Sequence, residues 1–173
     1  MKKFFGLTLG VLILAGSALA QEAQDYPKAE ISAGYSYLRL GSGGVNQHGG
    51  SVSIAGNLNR WFGIAGDFGG YHAAGLNTFT FLAGPRFTAR SDDGIIPFAQ
   101  VLVGGAHVTA SAGGFSAAVT PFAISAGGGL DVSMTRSVAL RPQVDYIAMR
   151  SNGSTVNTMR ASVGIVFQLG GKK

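Results

Sequence analysis

The chain has 173 residues, of which only 12% are charged, with 28 glycines and no cysteine. That is about half the charge and twice the glycine of an ordinary soluble domain, and the missing cysteine excludes a disulfide scaffold, thiolate-bound zinc and thiol chemistry. The formal charge of +5 includes Lys2 and Lys3, and no basic stripe with interleaved aromatics exists, so no nucleic-acid partner is expected.

Lys2 and Lys3 precede the apolar run Phe4 to Ala15 and the segment Ser17-Ala18-Leu19-Ala20. A basic start, a short apolar core and an A-x-A site predict a secretory signal over 1–20, cleaved after Ala20. Gly6, Gly10 and Gly16 and the short core argue against a membrane anchor helix. Residues 21–27 read as a short flexible segment, 28–169 as one barrel domain and 170–173 as a tail. Beyond the signal no apolar run reaches the ~18 residues of a spanning helix.

From Lys28 the apolar residues alternate with period two, the strand signature. Ile31, Ala33, Tyr35 and Tyr37 oppose Glu30, Ser32, Gly34 and Ser36. Val52, Ile54 and Leu58 follow, then Phe62, Ile64 and Phe68 opposite Ala65 and Asp67. Phe79, Phe81, Ala83 and Phe87 oppose Thr78, Thr80 and Arg86. Over 97–107, Ala99, Val101 and Val103 oppose Gln100, with Phe98 and Leu102 blurring the parity. Phe122, Ile124, Leu130 and Val132 oppose Ser125 and Asp131; Val138, Leu140, Val144 and Tyr146 oppose Arg141, Gln143 and Asp145. Met159, Val163, Ile165, Phe167 and Leu169 oppose Arg160, Ser162 and Gln168. These eight blocks predict an all-β fold, an eight-stranded antiparallel up-and-down transmembrane barrel closed between a first strand near 29–38 and a last near 159–169. Asn59-Arg60-Trp61, Ser91-Asp92-Asp93-Gly94 and Thr135-Arg136-Ser137 read as tight turns, and 40–50, 72–77, 109–119 and 150–157 as longer loops on the opposite, outer side.

Charge decides which face meets lipid. A soluble barrel needs a surface about a quarter or more charged, whereas residues 29–171 contain no lysine. The polar face is Ser, Gly, Thr and Asn with a few charges: Glu30, Asp67, Asp131 and Asp145 against Arg86, Arg141 and Arg160. These seven are predicted to form a paired network in the lumen, where an isolated charge would be costly. Tyr35, Tyr37, Trp61, Phe62, Tyr71, Phe87, Tyr146 and Phe167 lie near strand ends and are assigned to aromatic girdles at the membrane interfaces.

The whole mature chain resembles the small eight-stranded outer-membrane barrel family that includes the OmpA transmembrane domain and OmpX. The last strand, Ser162 to Leu169, is similar to the family's assembly signal, with Gly164, Phe167 and Leu169 in its key positions. It departs in having Leu169 in place of a terminal aromatic and in the four residues that follow. The resemblance implies insertion in the outer membrane by the barrel assembly machinery after passage through the periplasm, contact with outer-membrane lipid and lipopolysaccharide, and a monomer. No peptidoglycan-binding domain is expected to follow.

No catalytic residue, cofactor or metal site is assigned. His48, His72 and His107 fall in or near the outer loops without a carboxylate close in sequence. His107-Val108-Thr109 approaches the His-x-Ser pair of lipid-modifying barrel enzymes, with threonine in place of serine. Gly127-Gly128-Gly129 lacks the GK[ST] and helix of a phosphate loop and reads as strand curvature. Arg39 and Arg150, at the bases of outer loops, are candidates for lipopolysaccharide phosphates. The expected role is structural or surface-interactive, with the lumen plugged by paired charges. Alternatives are a narrow gated channel, which neutralising Arg141 and Asp131 would open, a lipid-modifying enzyme, and a secreted ligand carrier.

Overall fold

A backbone whose side chains alternate can satisfy both faces only in a sheet, and a sheet escapes unpaired edges only by closing. A computed structural model of the chain describes residues 26–41, 45–73, 75–91, 93–112, 115–151 and 153–171; the predicted signal over 1–20 lies outside them. The strands are β1 (Ala29–Leu40), β2 (Val45–Asn57), β3 (Phe62–Ala73), β4 (Leu76–Thr88), β5 (Ile95–Ala112), β6 (Phe115–Val119), β7 (Phe122–Ser133), β8 (Val138–Ser151) and β9 (Ser154–Leu169). Every wall strand pairs antiparallel with the next, and β9 returns to β1, closing an eight-stranded barrel. The short β6 is additional to that wall. It folds back on the far end of β5, pairing Ala112 with Phe115 and Val108 with Val119, before Thr120-Pro121 leads into β7.

Three of the four predicted longer outer loops are corrected by this geometry. Strand pairing runs on to Leu40↔Val45, Ala73↔Leu76 and Ser151↔Ser154, so those connections are as tight as the ones at the other end. Between β5 and β7, whose pairing stops at Gly105↔Phe122, the β5–β6 hairpin makes the long excursion expected over 109–119. Backbone hydrogen bonds are indifferent to side-chain pattern, so Gly, Ser, Thr and Asn extend the ladder without the alternation that reveals a strand. Gly75 and Gly153, at φ +76° and +82°, supply the left-handed residue that two-residue hairpin connections need. At the end carrying the chain termini, the Asn59 side-chain oxygen accepts from the amides of Trp61 and Phe62 at 3.0 and 2.8 Å, an Asx turn. We call this end the terminal rim and the other the distal rim. Part of the segment expected to be flexible is tied to the terminal rim: the Tyr26 hydroxyl donates to Leu58 O, and Pro27 O accepts from Asn57 Nδ2 at 2.7 Å.

The barrel is sheared. Following register partners from Leu38 leads through Arg160, Asp145, Gly127, Gln100, Arg86, Gly63 and Asn57. The Asn57 amide then bonds to Lys28 O, so the circuit re-enters β1 ten residues lower than it left. The tilt brings side chains distant in sequence to one height. At one point of the closing seam the backbones approach too closely for a side chain, where Gly34 faces Gly164: a Cβ on Gly34 would lie 2.2 Å from Val163 O.

Phe98 and Leu102, which blurred the parity of β5, keep it: both side chains point inward with Gln100 and are buried. Apolar character there marks the lumen, not a register break. Outward, Ile54, Ile64, Phe68, Phe79, Val101, Val144, Val163 and Phe167 are among many large apolar side chains left exposed around the wall.

Candidate functional site

The inward face is where alternation concentrates the polar residues, and it is layered. Nearest the terminal rim, Glu30 is the hub. Its carboxylate accepts from Arg86 at 3.2 Å, Arg90 at 2.9 Å, Arg141 at 2.6 Å and the Asn57 amide at 2.9 Å. Asp131 takes Arg141 in a two-pronged contact, Nε and Nη2 donating at 2.5 and 2.6 Å, the geometry that suits a planar guanidinium. The Phe98 ring lies against both Arg86 and Arg141, with guanidinium carbons 4.3 and 4.7 Å from its centroid, so the ring quadrupole attracts both cations.

A second network sits farther in. Arg160 donates to Asp145 at 2.9 Å, to Asp67 at 2.5 Å and to the Tyr71 hydroxyl at 3.1 Å. Gln143 also donates to Asp145, at 2.8 Å. Gln100 joins the two networks, accepting from Arg86 Nε at 3.2 Å and donating to Asp145 at 3.4 Å. The terminal-side network holds three arginines and two carboxylates, the inner one a single arginine and two carboxylates. Their charges of +1 and −1 cancel, so the two networks together are neutral, which limits the cost of burying them.

All seven charges singled out by sequence lie inward and belong to these networks. Arg90 was not foreseen. It follows β4, beyond the alternating block, but continues the even parity of Arg86 and Thr88, which was the signal available. Tyr71 was assigned to the girdle, and that is corrected: it is 3% exposed and bonds Arg160. Its odd number places it with Asp67, on the lumen side of β3. The other girdle residues face outward in two groups. Tyr35, Tyr37 and Tyr146 lie toward the distal rim. Trp61, Phe62, Phe87 and Phe167 lie toward the terminal rim, where the Trp61 and Phe87 rings stack 6.1 Å apart.

Beyond the second network large apolar side chains enter the lumen, interleaved with the buried polar Gln47, Thr78, Ser125 and Thr158. Leu38, Leu102, Ile147, Ala106 and Ala123 are each fully buried, with Leu82 and Met149 against them. The one trace of this tier in the sequence periodicity is Leu102, where an apolar residue on the polar face reads as blurred parity. The glycines of β7 make room for the networks: a Cβ on Gly127 would fall 2.3 Å from Asp145 Oδ1, and one on Gly129 3.1 Å from the Phe98 ring.

The assembly-signal residues Phe167 and Leu169 face outward and are exposed, while Gly164 lies in the closing seam opposite Gly34 and beside Arg141. The histidines are outside the lumen. His48 and His72 are register partners but turn to different neighbours, His48 to the Tyr35 hydroxyl and His72 to Asn77 Oδ1 at 2.7 Å. His107 hydrogen-bonds with Thr120 at 2.9 Å. Arg39 and Arg150 are exposed near the distal rim.

No protein-family model matches the chain, and no curated protein matches it by sequence. Solved structures do match. Neisserial surface protein A aligns with a TM-score of 0.72 at 13% identity, over 82% of this chain and 97% of that one. The N-terminal β-barrel domain of OprF from Pseudomonas aeruginosa aligns at 0.60 and 15%, over 82% and 99%. Ail, the attachment invasion locus protein of Yersinia pestis, aligns at 0.55 and 18%, again over 82% and 99%. At such identities the likeness is one of fold: the chain forms the closed eight-stranded antiparallel barrel of transmembrane outer-membrane proteins.

Proposed function

We propose that the protein is an integral outer-membrane barrel, monomeric and closed to solutes, with a structural or surface-interacting role. The observation that carries the reading is the sealed lumen: two ion networks and an apolar tier stacked along the axis. The inverted polarity supports the membrane setting, since soluble monomers rarely expose an apolar patch above a few hundred Å² and here such residues ring the wall. Two groups of outward aromatics suit the two interfaces of a bilayer. With an even number of wall strands both chain ends share the terminal rim, which we place in the periplasm, reached by export on the 1–20 signal. The assembly machinery would read Gly164, Phe167 and Leu169 on β9. The distal rim then meets lipopolysaccharide and the exterior, where the β5–β6 hairpin presents Phe115, 85% exposed, and an unpaired strand edge.

A narrow gated passage is the second reading. It is favoured by a void of about 20 Å³ beside the networks, lined by Ser32, Ser51, Ser53 and Ser162 among others, room for about one water. Planar-bilayer recording on refolded monomer tests both. Little or no steady conductance is expected, with rare small openings at most. A large, stable conductance would make the protein a channel and end the closed-barrel reading.

A further inference from the structure

The charge outside the lumen is unevenly placed. Beyond residue 25 the chain has six carboxylates: Glu30, Asp67, Asp131 and Asp145 in the lumen, and Asp92 and Asp93 in the turn between β4 and β5 at the terminal rim. The distal rim therefore carries Arg39 and Arg150 with no acidic residue to answer them. Among the described residues neither arginine makes an ion pair.

Arg39 borders an outward groove of about 350 Å³ crossing β1, β9 and β8, lined by Tyr146, Met159, Val156, Thr155 and Asn157 among others. Its layering follows from register. Arg39 is paired with Met159, and Met159 with Tyr146, which sets a guanidinium, a thioether and a phenol side by side across three strands. Asn157 and Thr155 stand above them toward the rim. Below them Val144 and Val163 continue the groove's floor into the exposed apolar wall. The groove is cationic and hydrogen-bonding at the top and apolar at the base. An amphiphile with a phosphate head and acyl chains matches that order, since a guanidinium binds phosphate through parallel N–H donors. Arg150, paired with Thr155 across the other side of β9, is offset from Arg39 by four residues of that strand, roughly 13 Å, and can meet a second phosphate on the same head.

We propose that this groove is a binding site for one phosphorylated glycolipid of the outer leaflet, with Arg39 on one phosphate, Arg150 on a second, Thr155 and Asn157 on sugar hydroxyls, and an acyl chain over Met159 and Tyr146. The site rests on the membrane orientation proposed above. Native mass spectrometry of the refolded protein in detergent, titrated with diphosphorylated lipid A, tests it. One bound lipid is expected, with affinity lowered at least tenfold by Arg39→Gln and largely kept by Arg39→Lys. Arg150→Gln should weaken the diphosphorylated lipid about fivefold and leave the form lacking the second phosphate unchanged. Equal binding by Arg39→Gln, by dephosphorylated lipid A, or by phosphatidylglycerol would overturn the site, the last by reducing it to ordinary anionic-lipid contact. Arg39 lies outside the lumen, so Arg39→Gln leaves the bilayer conductance as in wild type. Failure of the lipid site is thereby separable from failure of the closed-barrel reading.

Discussion

Replacing Glu30 by glutamine removes the one carboxylate shared by Arg86, Arg90 and Arg141. The three guanidiniums are then opposed by Asp131 alone, and the local charge rises from +1 to +2 inside the barrel. The new amide keeps one acceptor oxygen but turns an N–H₂ toward arginines that are donors only. Removing one partner of a buried pair costs about 3–5 kcal/mol, a large part of the ~5–15 kcal/mol that holds a typical domain folded. With a urea dependence of about 2 kcal/mol/M, that lowers the unfolding midpoint by roughly 2 M. Trp61, the only tryptophan, faces outward at the terminal rim and reports unfolding by fluorescence in lipid vesicles. The electrostatic cause has its own signature: Glu30→Gln combined with Arg90→Gln returns the local charge to +1, so the double variant should be more stable than the single. A Glu30→Gln midpoint within error of wild type would refute the hub, and a double variant less stable than the single would refute the charge argument.

Gly34→Ala should slow or prevent barrel closure, because its Cβ would meet Val163 O and the Gly164 Cα at 2.2 and 2.4 Å, whereas Gly56→Ala, with nothing within 4 Å, should fold normally; heat-modifiable gel mobility distinguishes the two. Tyr71→Phe deletes the 3.1 Å contact to Arg160 and should destabilise by about 1.5–3 kcal/mol in urea, while Trp61→Phe, measured by circular dichroism, should cost much less. Arg141 and Asp131 neutralised together should leave bilayer conductance near that of wild type, contrary to the expectation from charge alone, because Leu38, Leu102 and Ile147 still close the lumen. Adding Leu38→Ser and Ile147→Ser should then raise it, and an increase from the charge variants alone would show that the apolar tier is no barrier.

Period-two alternation determined which face each side chain occupies, and it did so through local geometry alone, since successive Cβ atoms of a strand point to opposite sides. Glu30, Asp67 and Arg141 were placed inward on that basis, and the scarcity of surface charge was enough to put lipid outside. The same parity, followed strictly, also contained Tyr71 with Asp67 and Arg90 with Arg86. Partnership is a different quantity. That Arg160 meets Asp67, 93 residues away, and that Glu30 gathers Arg141 from 111 residues away, depends on the ten-residue offset at which β9 closes on β1. A closure two residues different would keep every face and exchange the partners. The true reach of β2 and β5 toward the distal rim was hidden for a related reason: their glycines, serines and alanines carry no polarity contrast, and only pairing with a neighbour holds them in the ladder. The groove beside Arg39 likewise exists only once β1, β9 and β8 lie edge to edge, because no single strand holds both its cation and its floor.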